Sequence, residues 1–233
     1  MEENKLHSLY EALTTKATLK QKVYTNTFNT LQLFIAALQN TVTGYHEHNE
    51  KSDTEIPFEF RKKGDFELEV KFGGDILLFL MHTNVFEFSR HHEVMKTSYV
   101  REDPERSYCG VINIYNFLAD SFKYNRVNDI GYLIGRVFIN KDMHYFVEGK
   151  REIGQIYNNF RTNLINETDV QNIVESSIRY TLNFDLLAPP YENVKEVSVY
   201  EMMSTLDNIT LKTGKRMGFQ FRADREESNE NAD

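Results

Sequence analysis

Two adjacent histidines and a glutamate follow an aromatic run in FEFSRHHEVMK, residues 86–96. His and Glu hold metal ions and move protons near neutral pH, so His91 and His92 form a first candidate site. His46-Glu47-His48 forms a second, with the alternate spacing that suits a metal on an extended chain. Adjacent histidines diverge on a strand and on a helix alike, so His91 and His92 do not readily share one ion. A joint metal site from His46, His48, His91 and His92 is therefore set against a plainer reading. In that reading these are solvated loop residues, and 91–93 is the wet end of a strand.

Asp65, Glu69 and Lys71 form a third candidate. Two acids and a lysine on a strand can hold a divalent metal and steady charge in phosphodiester cleavage. Strand alternation, however, puts Glu67, Glu69 and Lys71 on one face, opposite an apolar row, which is the pattern of a water-facing sheet surface. Arg136, Lys150 and Arg151 form a fourth candidate, for an anionic ligand. Arg136 interrupts the alternation of Tyr132, Ile134 and Phe138, and an Arg among aromatics can hold a carboxylate or phosphate. An internally paired or edge Arg is the competing account. Cys109 reads as a small buried residue rather than a nucleophile. The sequence contains no G-x-S-x-G, no P-loop and no G-x-G-x-x-G, and no cofactor is expected.

The elements that must position these residues follow from periodicity. Residues 4–46 lack Pro and reach Gly only at Gly44. One heptad line is apolar throughout: Tyr10, Ala17, Tyr24, Leu31, Leu38 and Tyr45. Its companion changes side, from Leu6 and Leu13 to Phe28, Ile35 and Val42. A migrating seam predicts a long straight helix lying on a globular body rather than a supercoil. TNTFNT, residues 25–30, weakens helix propensity, so one helix or two broken near Asn26 both remain open.

Period two then takes over. Phe58 and Phe60, then Phe66, Leu68, Val70 and Phe72, predict a hairpin around Lys63-Gly64-Asp65. Residues 76–88 predict one central strand, and 98–108 a charged loop. Residues 111–117 suit a strand by their Val, Ile and Tyr content, although a helical face is also possible. Strands at 132–140 and 143–148 flank a turn at Asn140-Lys141-Asp142. Helical period returns in Ile153, Ile156, Tyr157, Phe160 and Leu164, and again in Val170, Ile173, Val174, Ile178 and Leu182. Thr168 with Gln171 reads as a capping box for the second of these. Ser198 and Glu201 suggest a third, short helix, and MGFQF at 217–221 a final strand.

Strands grouped together and followed by helices predict an α+β fold. A long N-terminal helix leads into an antiparallel sheet of six or seven strands, with C-terminal helices packed on it. Residues 1–50 are the helix, for packing or oligomerisation; 54–221 are the globular domain; 222–233 are a disordered acidic tail.

Composition narrows function further. A net charge of −8 argues against a nucleic-acid partner, because affinity for phosphate backbones comes from basic excess. One cysteine excludes an internal disulfide and an all-cysteine zinc site. The start, MEENKLHSLYEAL, lacks the apolar stretch of a secretory signal, and no run is long enough to span a bilayer. A cytoplasmic protein is expected. The expected function is a non-enzymatic interaction or regulatory protein that forms a homo-oligomer through its N-terminal helix and presents a sheet surface to a protein partner. A small anionic-ligand sensor and a metal-dependent nuclease-like hydrolase are the alternatives.

Overall fold

A computed structural model of the chain describes residues 2–49, 56–150, 153, 159–184, 188–200 and 202. Helix α1 runs unbroken over Glu2–Asn49, about 70 Å at ~1.5 Å per residue. The Thr-rich stretch does not break it. Thr27 and Thr30 donate their hydroxyls to the carbonyls of Val23 and Asn26, at 2.8 and 2.9 Å, and so stay satisfied inside the helix.

The strands are β1 (Phe58–Lys62), β2 (Glu67–Phe72), β3 (Asp75–Met81), β4 (Phe86–Glu87), β5 (Tyr108–Leu118), β6 (Tyr132–Asn140) and β7 (Tyr145–Gly149). They form one antiparallel sheet in the order β1-β2-β3-β5-β6-β7, with β4 also on β5. Short helices α2 (Ser98–Glu102) and α3 (Ala119–Lys123) flank β5. Helix α4 (Glu167–Leu182) follows the sheet, and a single turn, α5, spans Tyr191–Val194.

The inner face of the sheet and two helices share the main core. Leu31, Phe34 and Leu38 of α1 and Val170, Ile173 and Val174 of α4 meet Leu68, Val70, Leu77, Phe79, Ile112, Ile114, Val137 and Val147. From Leu19 onward α1 thus belongs to the body of the fold. Before Leu19 it projects, and residues 6–18 are exposed.

The predicted strand 76–88 is interrupted. Met81 faces Ile112 and Phe86 faces Cys109, so five steps on one side oppose three on the other. Residues 82–85 bulge out, where Asn84 donates its N–H to His82 Nδ1 at 3.0 Å. The predicted loop 98–108 is instead two helical turns, because Thr97 and Asp103 cap α2 and a 3₁₀ turn at Pro104–Ser107. The cap of α4 is Asn166, not Thr168. Its side chain accepts from Asp169 N–H at 3.0 Å and donates to the Asp169 carboxylate at 2.8 Å. Asp169 holds the N3 place expected of Gln171, but its carboxylate meets the Asn166 side chain and not the cap's backbone N–H.

Phe160 and Leu164 do not continue a helical stripe. The N–H groups of Thr162 and Asn163 bond to the Asn159 carbonyl, and Leu164 pairs with His144 as a single bridge. Ile156, Tyr157, Arg151, Glu201, the strand expected at 217–221 and the tail expected at 222–233 lie outside the described residues.

Candidate functional site

A second apolar cluster covers one end of the outer sheet face. Val94, Tyr99 and Val100 fold back onto Cys109, Val111, Phe138, Phe146 and Phe160, with Phe88 and Met95 at the margin. Cys109 is fully buried here, and burial pushes its thiol pKa well up. Beside this cluster lies the constellation formed by His92, Arg136 and Glu148.

Glu148 bridges the other two. One carboxylate oxygen pairs with the Arg136 guanidinium, and the other lies 3.2 Å from His92 Nε2. His92 Nδ1 accepts the N–H of Val94 at 3.2 Å, capping the turn Glu93–Lys96. Accepting at Nδ1 leaves the ring proton on Nε2, aimed at Glu148. Both ring nitrogens are engaged, and the ring lies 4.5 Å from Phe88, centroid to centroid. His92 is a packed, capping side chain, while its neighbours His91 and Glu93 are exposed.

Arg136 lies 5.2 Å from the Phe138 ring, yet its side chain is 45% exposed. Ile114 faces Gly135 while Tyr115 faces Leu133, so Ile134 is an extra residue in β6. The extra residue splits the expected row: Tyr132 and Ile134 go to the inner core, while Arg136 stays with Phe138 on the outer face, where Phe138 is buried and Arg136 is not. Lys150 closes β7, its N–H bonded to the Ile134 carbonyl at 3.1 Å.

The other sequence candidates lie apart. His46 Nε2 donates to the Phe58 carbonyl, 2.9 Å away, beside a shallow groove of about 300 Å³ lined by His46, Pro57, Phe58 and Glu59. His48 is exposed on the last turn of α1, and His91 is exposed. β1 and β7 are opposite edges of the sheet, so the His46 and His92 regions are not brought together. Among the described residues no group of three or more His, Cys, Asp or Glu is placed to hold a metal.

Glu69 does not face water. Its side chain is 6% exposed and pairs with Lys63, whose ammonium also lies 5.1 Å from the Phe122 ring. Phe122 belongs to α3, so the ammonium that pairs with Glu69 is itself held by an element distant in sequence, which strand alternation alone cannot foresee. Asp65 stays in the hairpin turn, 80% exposed and 3.9 Å from Lys62. Lys71 stands opposite Glu59 and Ile76.

Sequence reasoning missed a polar hub on the β6–β7 turn. Lys141 reaches Asp103 at 2.7 Å and Glu105 at 2.5 Å, and Arg106 reaches Asp142 at 3.1 Å. The Lys141 hydrogen bond holds the Asp103 carboxyl below its ordinary value of 3.8. A depressed folded pKa gives stability that is present above the unfolded pKa and lost as pH falls through the folded one. Urea midpoints should therefore drop as pH falls below about 3.8, and Lys141→Met should flatten that part of the curve.

The outer face beyond these clusters is open. Leu78 faces Tyr115, which faces Leu133 across β6; Leu80 faces Asn113, which faces Arg136. Leu80 and Leu133 are 38% and 42% exposed. No described helix is long and apolar enough to cross a membrane. Comparison with family models, with curated proteins and with solved structures returned no match.

Proposed function

We propose that this chain is a non-enzymatic interaction protein that assembles with itself through the projecting start of α1 and offers the open outer face of its sheet to a protein partner. One observation carries the reading. Leu6, Leu9, Tyr10 and Leu13 are 49%, 58%, 55% and 64% exposed on a helix whose continuation is core. Helical apolar side chains gathered on one stripe and left in water mark a contact surface. The row Leu78, Tyr115 and Leu133 supports the second half of the reading, since two of its neighbours across the sheet, Arg136 and Glu148, already neutralise each other.

The same reading places the protein in the cytoplasm, and a lone cysteine kept as a buried thiol suits a reducing compartment. The test is Leu9→Glu with Leu13→Glu in the full chain. Neither residue contributes to a core cluster, so the variant should keep the wild-type far-UV circular-dichroism spectrum and a cooperative melt, lowered only by the lost assembly. Sedimentation velocity should show an oligomer for wild type and a monomer for the variant. An identical oligomer in both would remove the helix from the assembly.

A further inference from the structure

The stripe Leu6, Leu9, Tyr10 and Leu13 is spaced by three, one and three residues, which reads the same in both directions. A two-fold axis across the helix, midway between Leu9 and Tyr10, therefore carries Leu6 onto Leu13 of a second copy and Leu9 onto its Tyr10. The segment is its own complement, with apolar side chains opposite apolar side chains at each step.

A parallel pair of the same helices meets a different result. The heptad line Leu6, Leu13 continues to Lys20, with Lys16 close behind the seam. A parallel two-fold sets Lys20 against Lys20 inside the seam, and like charges facing across helices are destabilising. In the antiparallel pair the two Lys20 positions stand about 30 Å apart along the axis, at ~1.5 Å per residue. Lys16 is also committed within its own chain, to the hydroxyl of Tyr108, which donates to Glu87 at 2.6 Å. Burial of α1 starts at Leu19, so an antiparallel contact over residues 6–13 leaves the two globular bodies at opposite ends.

We infer that two copies pair antiparallel through residues 6–13 of α1, Leu6 on Leu13 and Leu9 on Tyr10 of the second copy. This rests on the assembly reading above and adds its direction and register.

Cysteine cross-linking of the full chain tests it. Cys109 is fully buried, so an introduced thiol reacts against a silent background. Leu6→Cys and Leu13→Cys variants, one of them tagged, are oxidised singly and as an equimolar mixture, beside sedimentation velocity of the wild type. A disulfide needs the two Cα atoms within ~7 Å. The expected result is a mixed cross-link several-fold stronger than either self cross-link. A strong Leu6→Cys self cross-link would show a parallel pair, overturning the direction while keeping the assembly. A wild-type dimer without cross-links in any combination would place the contact elsewhere and overturn the inference. A monomer at every concentration would end both readings.

Discussion

Gly110→Ala should destabilise the fold by about 3 kcal/mol, because overpacking at a rigid contact has no cheap relief. A Cβ at Gly110 would lie 2.0 Å from Thr27 Oγ1 and 2.8 Å from Thr27 Cβ. This is where α1 crosses the central strand β5. Thr27 is fully buried and its hydroxyl is bonded to Val23 O. The helix cannot lift away without drawing Leu31 and Phe34 off the sheet, and the rest of the main core with them. Thr27→Gly in the Gly110→Ala background removes the opposing Cβ and should recover part of the loss. Gly64→Ala is the control, since nothing lies within 4 Å of its added Cβ. Its urea midpoint should stay within ~0.5 kcal/mol of wild type. An unshifted midpoint for Gly110→Ala would mean that α1 seats on β5 with more slack than this contact allows.

The same crossing shows what periodicity can and cannot tell. The apolar lines of α1 and the alternation of β1 and β2 mark the buried faces, since burial follows the period of each element. Gly110 inside a strand is a readable sign of close backbone approach, but only the folded chain says that Thr27 is what approaches. The threonines read as a weak point of the helix are its contact with the sheet. Thr back-bonds to the helix and is short enough to fit against a glycine.

Burial of Glu69 and exposure of Arg136 escape sequence reasoning for two different reasons. Glu69 pairs with Lys63, whose ammonium lies over the Phe122 ring of α3, an element distant in sequence. Arg136 parts from Tyr132 and Ile134 because one extra residue, Ile134, enters β6 opposite β5 and turns those two to the inner core. Its partner Glu148 is missed by a shift in the turn: counting outward from Asn140-Lys141-Asp142 pairs Arg136 with Phe146, whereas the folded turn includes Met143, so Asn140 faces His144 and Arg136 faces Glu148. The projecting stripe of α1 was legible only in part. Tyr10 and Ala17 continue the same heptad line as Leu31 and Leu38, and no periodicity says where along a helix its globular cover ends.

Asn140→Ala should cost about 3 kcal/mol, since removing one buried partner strands the groups it satisfied. The Asn140 side chain is fully buried. Its Oδ1 accepts the N–H groups of Asp142 and His144, at 2.9 and 3.0 Å, and its Nδ2 donates to the Tyr99 hydroxyl at 3.0 Å. Burial, foremost, raises the Tyr99 phenol pKa, so that hydroxyl stays neutral and needs its partner. Alanine would leave two turn N–H groups unpaired beside Met143, which holds a left-handed φ of 61°. The damage should also reach α1. Asn26 donates to the carbonyls of Asn140 and Lys141, both at 2.9 Å, so the helix grips the backbone of the same turn. Hydrogen exchange should therefore quicken at the β6–β7 turn and around Asn26 together. Asn140→Asp keeps the acceptor and loses the donor, and should fall between alanine and wild type. Faster exchange confined to the turn would show that the helix is held by the sheet alone, and that the Asn26 contacts follow its seating rather than help to set it.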